Sequence, residues 1–268
     1  AVDVNLGLGR AQEYGAAGVA AGAALSIDTL SLIENVTGSA FDDVIIGNAA
    51  ANVLAGGIGS DRLDGAGGVD TLDYSNATSA VVVDLGAGTA LETDHSGVTT
   101  VAAGAFILSQ DQVLSFEVVA GSAYGDRIRG DHAGRSLDGN AGDDLVIGGS
   151  GSDVLTGGLG ADTLTGGGGA DVFVFAAARE GGDTITDFDA GLDHLQLSAT
   201  NFGTATPLLS GTGGVAAITG TAAGAVLAYD SGVGELYYDA DGAGVEAAIK
   251  LVTLAGAPVL QTEDILLR

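Results

Sequence analysis

The chain contains no cysteine, methionine or tryptophan and only two prolines among its 268 residues. Without cysteine no disulfide and no thiolate-held zinc can secure a fold. Basic residues are scarce: eight Lys and Arg stand against 35 Asp and Glu, for a net charge of −27. That imbalance argues against nucleic acid and anionic membranes as partners and favours cations, and it opposes compaction when no metal is present. No apolar run reaches the length of a membrane span, so no membrane insertion is expected, and no signal-peptide pattern opens the chain. Ala1 falls inside a strand pattern and is not preceded by Met, which predicts a piece of a longer protein. Catalytic signatures are missing too. There is no HExxH, no GxSxG, and only three widely separated histidines. The glycine-rich loops carry Asp where a phosphate cradle needs Lys. No catalytic residue is expected here, and any catalytic domain of the parent protein would lie upstream.

Glycine, by contrast, is abundant, with 47 residues, and it recurs in phase. From Gly121 the chain reads GSAYGDRIR, GDHAGRSLD, GNAGDDLVI, GGSGSDVLT, GGLGADTLT and GGGGADVFV without a gap. Each unit opens with Gly and has an aliphatic residue or Phe at its eighth place, and all but one have Asp at the sixth. A first array runs from Gly38 as GSAFDDVII, GNAAANVLA, GGIGSDRLD and GAGGVDTLD. Its sixth places are Asp43, Asn52, Asp61 and Asp70, and its eighth are Ile45, Leu54, Leu63 and Leu72.

A run of glycines lets the backbone take positive φ and fold its carbonyls inward. The last three places of each unit then make a short strand with one side chain pointing into the interior. If two units complete a coil, units i and i+2 stack at about the strand spacing of 4.8 Å, and their Asp side chains face one slot. Stacked carboxylates repel unless a hard cation lies between them, and Ca²⁺ takes six or more oxygens from carboxylates and carbonyls. A flexible Gly/Asp linker has this composition but no reason to hold Gly, Asp and an aliphatic residue in phase.

The pattern G-G-x-G-x-D-x-U-x resembles the RTX, or hemolysin-type calcium-binding, repeats of proteins that Gram-negative bacteria export by type I secretion. In that family one loop supplies the carbonyls of places 2 and 4 with its Asp, and the loop two units on supplies those of places 1 and 3 with its own. The resemblance implies that Gly149, Gly151 and Asp153 share an ion with Gly166, Gly168 and Asp171. It likewise pairs Asn140, Gly142 and Asp144 with Gly157, Leu159 and Asp162, and Ser122, Tyr124 and Asp126 with Gly139, Ala141 and Asp144. In the first array Ser39, Phe41 and Asp43 would meet Gly56, Ile58 and Asp61. Asn48, Ala50 and Asn52 would meet Gly65, Gly67 and Asp70 in a weaker site, because Asn52 offers a neutral oxygen.

The remaining chain is read around these arrays. Val2, Val4 and Leu6 alternate as a half-buried strand, and Gly15 to Ala24 is a small helix or a loop. TLSLIENVT from Thr29 is in phase, with Glu34 at the sixth place, as an entry coil. Aligning Ala1 with Ala80 gives an offset of 79 and Glu34 with Glu117 one of 83, so strand, loop, entry coil and array form a larger repeat. His95 and His132 are expected in solvated loops. Arg135 holds a sixth place, and its guanidinium is expected to bridge Glu117 and Asp153 in place of an ion. FAAAREGGDTITDFDAGLDHLQLS after Val174 resembles the segment closing the calcium roll in the family's proteases and lipases. Asp183 is expected to stack on Asp162 and complete a site with Gly158 and Gly160. Asp187, Asp189 and Asp193 are read as a polar turn before a strand Leu195 to Leu197. YDADGAG from Tyr238 lacks the spacing and closing Glu of an EF-hand and is read as a hairpin turn. EDILLR from Glu263 resembles the family's C-terminal secretion signal.

The expected fold is all-β, a parallel β-roll with two nonapeptides per coil in two arrays, followed by a β-rich C-terminal cap. The expected divisions are residues 1–85, 86–174 and 175–268. The expected function is a calcium-binding region of a secreted, extracellular protein, holding several Ca²⁺ ions, folding after passage through the type I secretion machinery, and stabilising or spacing its parent. A calcium-dependent adhesive or S-layer-like surface module that self-associates, or a carbohydrate-binding module contacting a polysaccharide, remains the alternative.

Overall fold

The computed structural model describes residues 1–14, 26–93, 107–203, 205–210, 224–242 and 247–268. Chain contacts divide it into two units, Ala1–Gly130 and Asp131–Arg268. Among the described residues nearly all regular structure is strand, with one α-helix of four residues, Ala199–Phe202. The expected helix or loop at Gly15 to Ala24, and His95, lie outside the described residues.

In the first unit the nonapeptide strands are three residues long and stack in parallel at the predicted interval. Val44–Ile46 pairs with Arg62–Asp64, aligning Ile45 with Leu63, and Val53–Ala55 pairs with Thr71–Asp73, aligning Leu54 with Leu72. Successive units therefore alternate between two sheets, and units eighteen residues apart are neighbours. Ile45, Leu54, Leu63 and Leu72 are fully buried between the sheets. Each contributes about 1.5–3 kcal/mol of transfer free energy, which a three-residue strand could not supply alone. Asn35–Thr37 pairs with Val53–Ala55, which makes it the entry coil.

The larger repeat is visible within this unit. Val2–Asn5 pairs in parallel with Val44–Ile46 and in antiparallel with Arg10–Glu13, which continues to Ser26–Thr29. Val81–Asp84 pairs in parallel with Arg127–Arg129 and in antiparallel with Thr89–Thr93, which continues to Ile107–Leu114. Val4 aligns with Ile45 as Val83 aligns with Ile128, so the same three-stranded meander starts both copies. Two strand regions are expected before residue 37, and the structure has four, because the alternation of Arg10–Glu13 and Ser26–Thr29 is carried mostly by polar residues.

In the second unit, Leu137, Val146, Leu155, Leu164 and Phe173 form the buried column. One sheet stacks Ser136–Asp138, Val154–Thr156, Val172–Phe175, His194–Leu197 and Ile265–Leu267 in parallel. The other stacks Leu145–Gly149, Thr163–Gly167, Asp183–Ile185 and Ile249–Leu254, and ends in antiparallel strands Glu235–Asp239 and Val226–Asp230. Val226–Asp230 is buried along its whole length, and Phe202 meets Tyr238 edge to face at 5.0 Å. The expected hairpin at Tyr238 is present: Asp239 accepts the N–H groups of Asp241 and Gly242 before the chain returns as Ile249–Leu254.

Candidate metal centre

The turns between strands bring carboxylates of successive coils into files. In the first unit the Asp43 N–H donates to Asp61 Oδ1 at 2.8 Å, and the Asp61 N–H to Asp111 Oδ1 at 2.9 Å. On the opposite side the Asn52 N–H donates to Asp70 Oδ1 at 2.8 Å, and the Asp70 N–H to Glu117 Oε2 at 3.0 Å. In the second unit Asp144 donates to Asp162 and Asp162 to Asp183 at 2.8 and 3.0 Å. Asp153 donates to Asp171 and Asp171 to Asp193 at 2.8 and 3.0 Å. Each file is thus built from a backbone donor below and a carboxylate above, repeated coil by coil.

That ladder uses one carboxylate oxygen and strands the other. Asp61, Asp70, Asp153 and Asp162 are almost fully buried, and the Oδ2 of each accepts no hydrogen bond. An orphaned buried carboxylate oxygen is costly unless a cation compensates it. The space beside these oxygens exists because the first residue of each unit has no side chain. A Cβ added to Gly148 would lie 2.6 Å from the Gly166 carbonyl oxygen and press on Asp153 Oδ2. One added to Gly139 would lie 2.7 Å from the Gly157 carbonyl oxygen and press on Asp144 Oδ2. Among the described residues no three carboxylates or imidazoles converge on one point, so a cation there draws most of its oxygens from the backbone. A hard cation of the calcium type fits this donor set.

The carbonyls are brought to the same slots. At Gly158 and Gly160 φ is +98° and +145°, conformations that turn the carbonyls inward, and an added Cβ would strike the Asn140 and Gly142 carbonyl oxygens of the coil below. The turns themselves are tied by Leu159 N–H to Asn140 O at 2.9 Å and Gly142 N–H to Leu159 O at 2.8 Å. The Gly149 and Gly151 carbonyls meet Gly167 and Gly169 in the same way beside the Asp153–Asp171 pair, with Gly168 N–H donating to Gly149 O at 2.9 Å. Asn48 and Ala50 face Gly67 and Gly68, and Asn52 Oδ1 lies with the Gly65 carbonyl around Gly47. Ser39 and Phe41 face Gly57 and Gly59, but the Asp43 carboxylate already accepts both the N–H and the hydroxyl of Ser39. Ser122 grips Asp126 through the same two groups. Asp183 stacks on Asp162 as expected, beside Gly160.

Burial in these files raises carboxyl pKa values, and neighbouring carboxylates add to the effect. Desolvation, with the charges of Asp111 and Asp43, pushes Asp61 up to about 7. Desolvation with Asp171 takes Asp153 to about 6, and desolvation with Asp162 and Glu180 takes Asp183 to about 8. Asp70, Asp162, Asp171 and Asp193 move in the same direction for the same leading reason. Such sites hold protons or cations and resist standing empty and charged.

The geometry adds detail to three expectations. Arg135 meets Asp153 through its backbone N–H, which donates to the Asp153 carboxylate at 2.7 Å. The guanidinium grips Asp131 through Nε at 2.8 Å and Nη2 at 2.7 Å, because Asp131 lies four residues back in the same turn. Asp193 lies in the expected polar turn before the strand His194–Leu197, its Oδ2 accepting the Asp189 N–H, and its Oδ1 also continues the file of Asp171. Asp187 is drawn in as well, accepting the Gly166 and Gly167 N–H groups. Asp111 was not foreseen at all. The shared signal is Asp-x-aliphatic: Asp111-Gln112-Val113, Asp183-Thr184-Ile185 and Asp193-His194-Leu195 all repeat the phase of Asp171-Val172-Phe173. Insertions before Asp111 and Asp193 break the count of nine and hide them.

Two family models match the chain. The family described as Peptidase M10 serralysin C terminal matches residues 137–267, and RTX calcium-binding nonapeptide repeat (4 copies) matches residues 37–72. No curated protein matches the chain. Among solved structures, the AlgE6R2 subunit of the Azotobacter vinelandii mannuronan C5-epimerase is 29% identical over 56% of this chain and 91% of its own, with a TM-score of 0.39. The AlgE6R3 subunit of the same enzyme is 28% identical over 55% of this chain and 80% of its own, with a TM-score of 0.35. The extracellular lipase LipA of Serratia marcescens is 17% identical over 90% of this chain and 41% of its own, with a TM-score of 0.32.

Proposed function

Since the chain is an RTX calcium-binding repeat protein with a serralysin-like C-terminal segment, we propose that its ion slots couple folding to extracellular calcium after type I export. The calcium-binding β-roll is the premise, and the coupling is the new element. The observation that carries it is the set of buried carboxylate oxygens left without hydrogen bonds beside glycine cradles, at Asp61, Asp70, Asp153 and Asp162.

When bound, Ca²⁺ supplies the positive charge that this buried donor set lacks. The chain's own residues do the rest. The backbone N–H of each Asp orients the carboxylate above it, the glycines keep the slot open, and the aliphatic column holds the coils in register. Metal binds the stacked coils and not the disordered chain, so its binding free energy appears as folding free energy. Extracellular calcium sites have dissociation constants on the order of 10⁻⁴ to 10⁻³ M, too weak to fill inside a cell. The chain would therefore remain largely unfolded and exportable until it meets external calcium. The site residues are those paired above within each unit. The division into residues 1–85, 86–174 and 175–268 is the corresponding modular plan, with the last part as cap and export signal.

The decisive experiment is far-UV circular dichroism with and without millimolar Ca²⁺. The reading requires most of the β signal at neutral pH to appear only when calcium is present, and a full β signal in excess chelator would overturn it. A second reading, a calcium-stiffened spacer in a surface or adhesive protein, is favoured by the duplicated meander at Val2–Asn5 and Val81–Asp84, since spacers grow by duplication. Calcium-dependent oligomerisation in light scattering would separate it from the first.

A further inference from the structure

Two sixth-place residues break the acidic pattern, and both sit where protein donors fill the place a cation would take. Arg135 keeps the backbone role of an array aspartate, donating its N–H to Asp153 Oδ1 at 2.7 Å. Its side chain brings a positive charge to the lower edge of the slot beneath Asp153, fixed there by two hydrogen bonds to Asp131 that hold the Asp131 carboxyl below its usual range. A planar guanidinium bound in this forked manner is rigid, and it repels a divalent ion placed beside it. Asn52 likewise keeps the backbone role toward Asp70 at 2.8 Å. Its carboxamide Nδ2 donates to Glu34 Oε2 at 2.9 Å, and Asn48 Nδ2 adds a second donor to the same oxygen at 3.0 Å. The Glu34 oxygen of the entry coil is thereby held by two amide donors.

The interior file members differ. Asp61, Asp70, Asp153 and Asp162 each keep an oxygen that no protein donor reaches. We propose that Arg135 and Asn52 are the residues that decide where the ion rows stop: the slots beneath Asp153 and beneath Asn52 are closed by protein donors, take no calcium, and hold their coils together without it. This rests on the calcium reading of the interior slots. It adds that the roll has built-in metal-free joints, which would remain folded as templates when the interior slots are empty.

The test counts ions. Equilibrium dialysis with ⁴⁵Ca²⁺ on the full chain is compared among wild type, Arg135→Asp and Asn52→Asp. Each substitution restores a carboxylate opposite an existing one, Asp153 in the first case and Glu34 in the second, and each variant is expected to bind one ion more than wild type. Equal stoichiometry in wild type and both folded variants would overturn the proposal while leaving the calcium reading intact. A wild-type chain that binds no calcium would instead overturn the reading beneath it. Arg135→Gln guards against a variant that does not fold. It removes the charge without supplying a ligand, so the ion count should match wild type while the residual β signal in chelator falls. An unchanged residual signal in that variant would also count against the metal-free joint.

Discussion

The backbone N–H of Asp153 donates to Asp171 Oδ1, 2.8 Å away in the next coil, while Asp153 Oδ2 is left buried with no partner. One carboxylate is therefore oriented by its neighbour and another exposed to whatever fills the slot between them. Replacing Asp153 by Asn keeps the shape and removes the charge. The expected result is a calcium midpoint about 10- to 100-fold higher, the scale of one lost charge-assisted contact. In chelator the same variant should be more structured than wild type, because the repulsion with Asp171 is gone. Calcium titration followed by circular dichroism reads both effects.

Glycine in the turn of a unit is predicted to be irreplaceable where the cradle is tight and replaceable where the backbone is open. Gly148→Ala would put a methyl group 2.6 Å from the Gly166 carbonyl oxygen and against Asp153 Oδ2, so it should lose one bound ion. At Gly67 an added Cβ meets nothing within 4 Å, and Gly67→Ala should leave the ion count unchanged. Dialysis stoichiometry of the two variants side by side checks the contrast.

The metal-free roll should prefer acid. Asp61, Asp153 and Asp183 have folded pKa values of about 7, about 6 and about 8, raised from an ordinary 3.8 by burial first and neighbouring carboxylates second. A folded chain that holds protons which the unfolded chain has released is stabilised below pH 3.8 and loses that stability as pH rises through 6 to 8. In excess chelator the β signal should therefore grow from pH 8 to pH 4. Calcium must displace the same protons, so its apparent affinity should fall over this interval on acidification. A chelated chain whose spectrum does not change with pH would contradict the raised values.

The interior column is expected to respond independently of metal chemistry. Leu155 is fully buried between Leu137 and Phe173, its register partners. Leu155→Ala should cost about 2–5 kcal/mol in the calcium-saturated state, with the ion count preserved below the melting transition. Thermal unfolding at fixed calcium concentration measures it.

Much of the fold was legible because the repeat carries two messages at once. Gly at the first place and an aliphatic residue at the eighth locate both the turn and the buried side chain, and they place Leu54 on Leu72 and Leu155 on Phe173 without further information. Legibility ends where the period is interrupted. Asp111 and Asp193 lie in phase in space but out of count in sequence, because insertions lengthen their turns while the strand register is kept by Val113 and Leu195. Side-chain partners were also harder to read than backbone ones. The stacking interval gives Arg135 its place beneath Asp153, yet the grip of its guanidinium on Asp131 depends on rotamer reach within the turn. The tyrosine that closes the first file illustrates the same limit. Tyr74 donates its hydroxyl to Asp111 Oδ2 at 2.6 Å from a loop with no repeat pattern.

Each aspartate inside a file borders the slot beneath it and the slot above it, so the slots are not independent receptors. On the calcium reading, an ion in one slot would orient a carboxylate of the next, and a file would respond as a one-dimensional cooperative chain. The steepness of the calcium response is then set by the number of uninterrupted slots in a file. A single arginine in the wrong place shortens that run, and repeat number becomes a means of tuning how sharply the roll senses its surroundings.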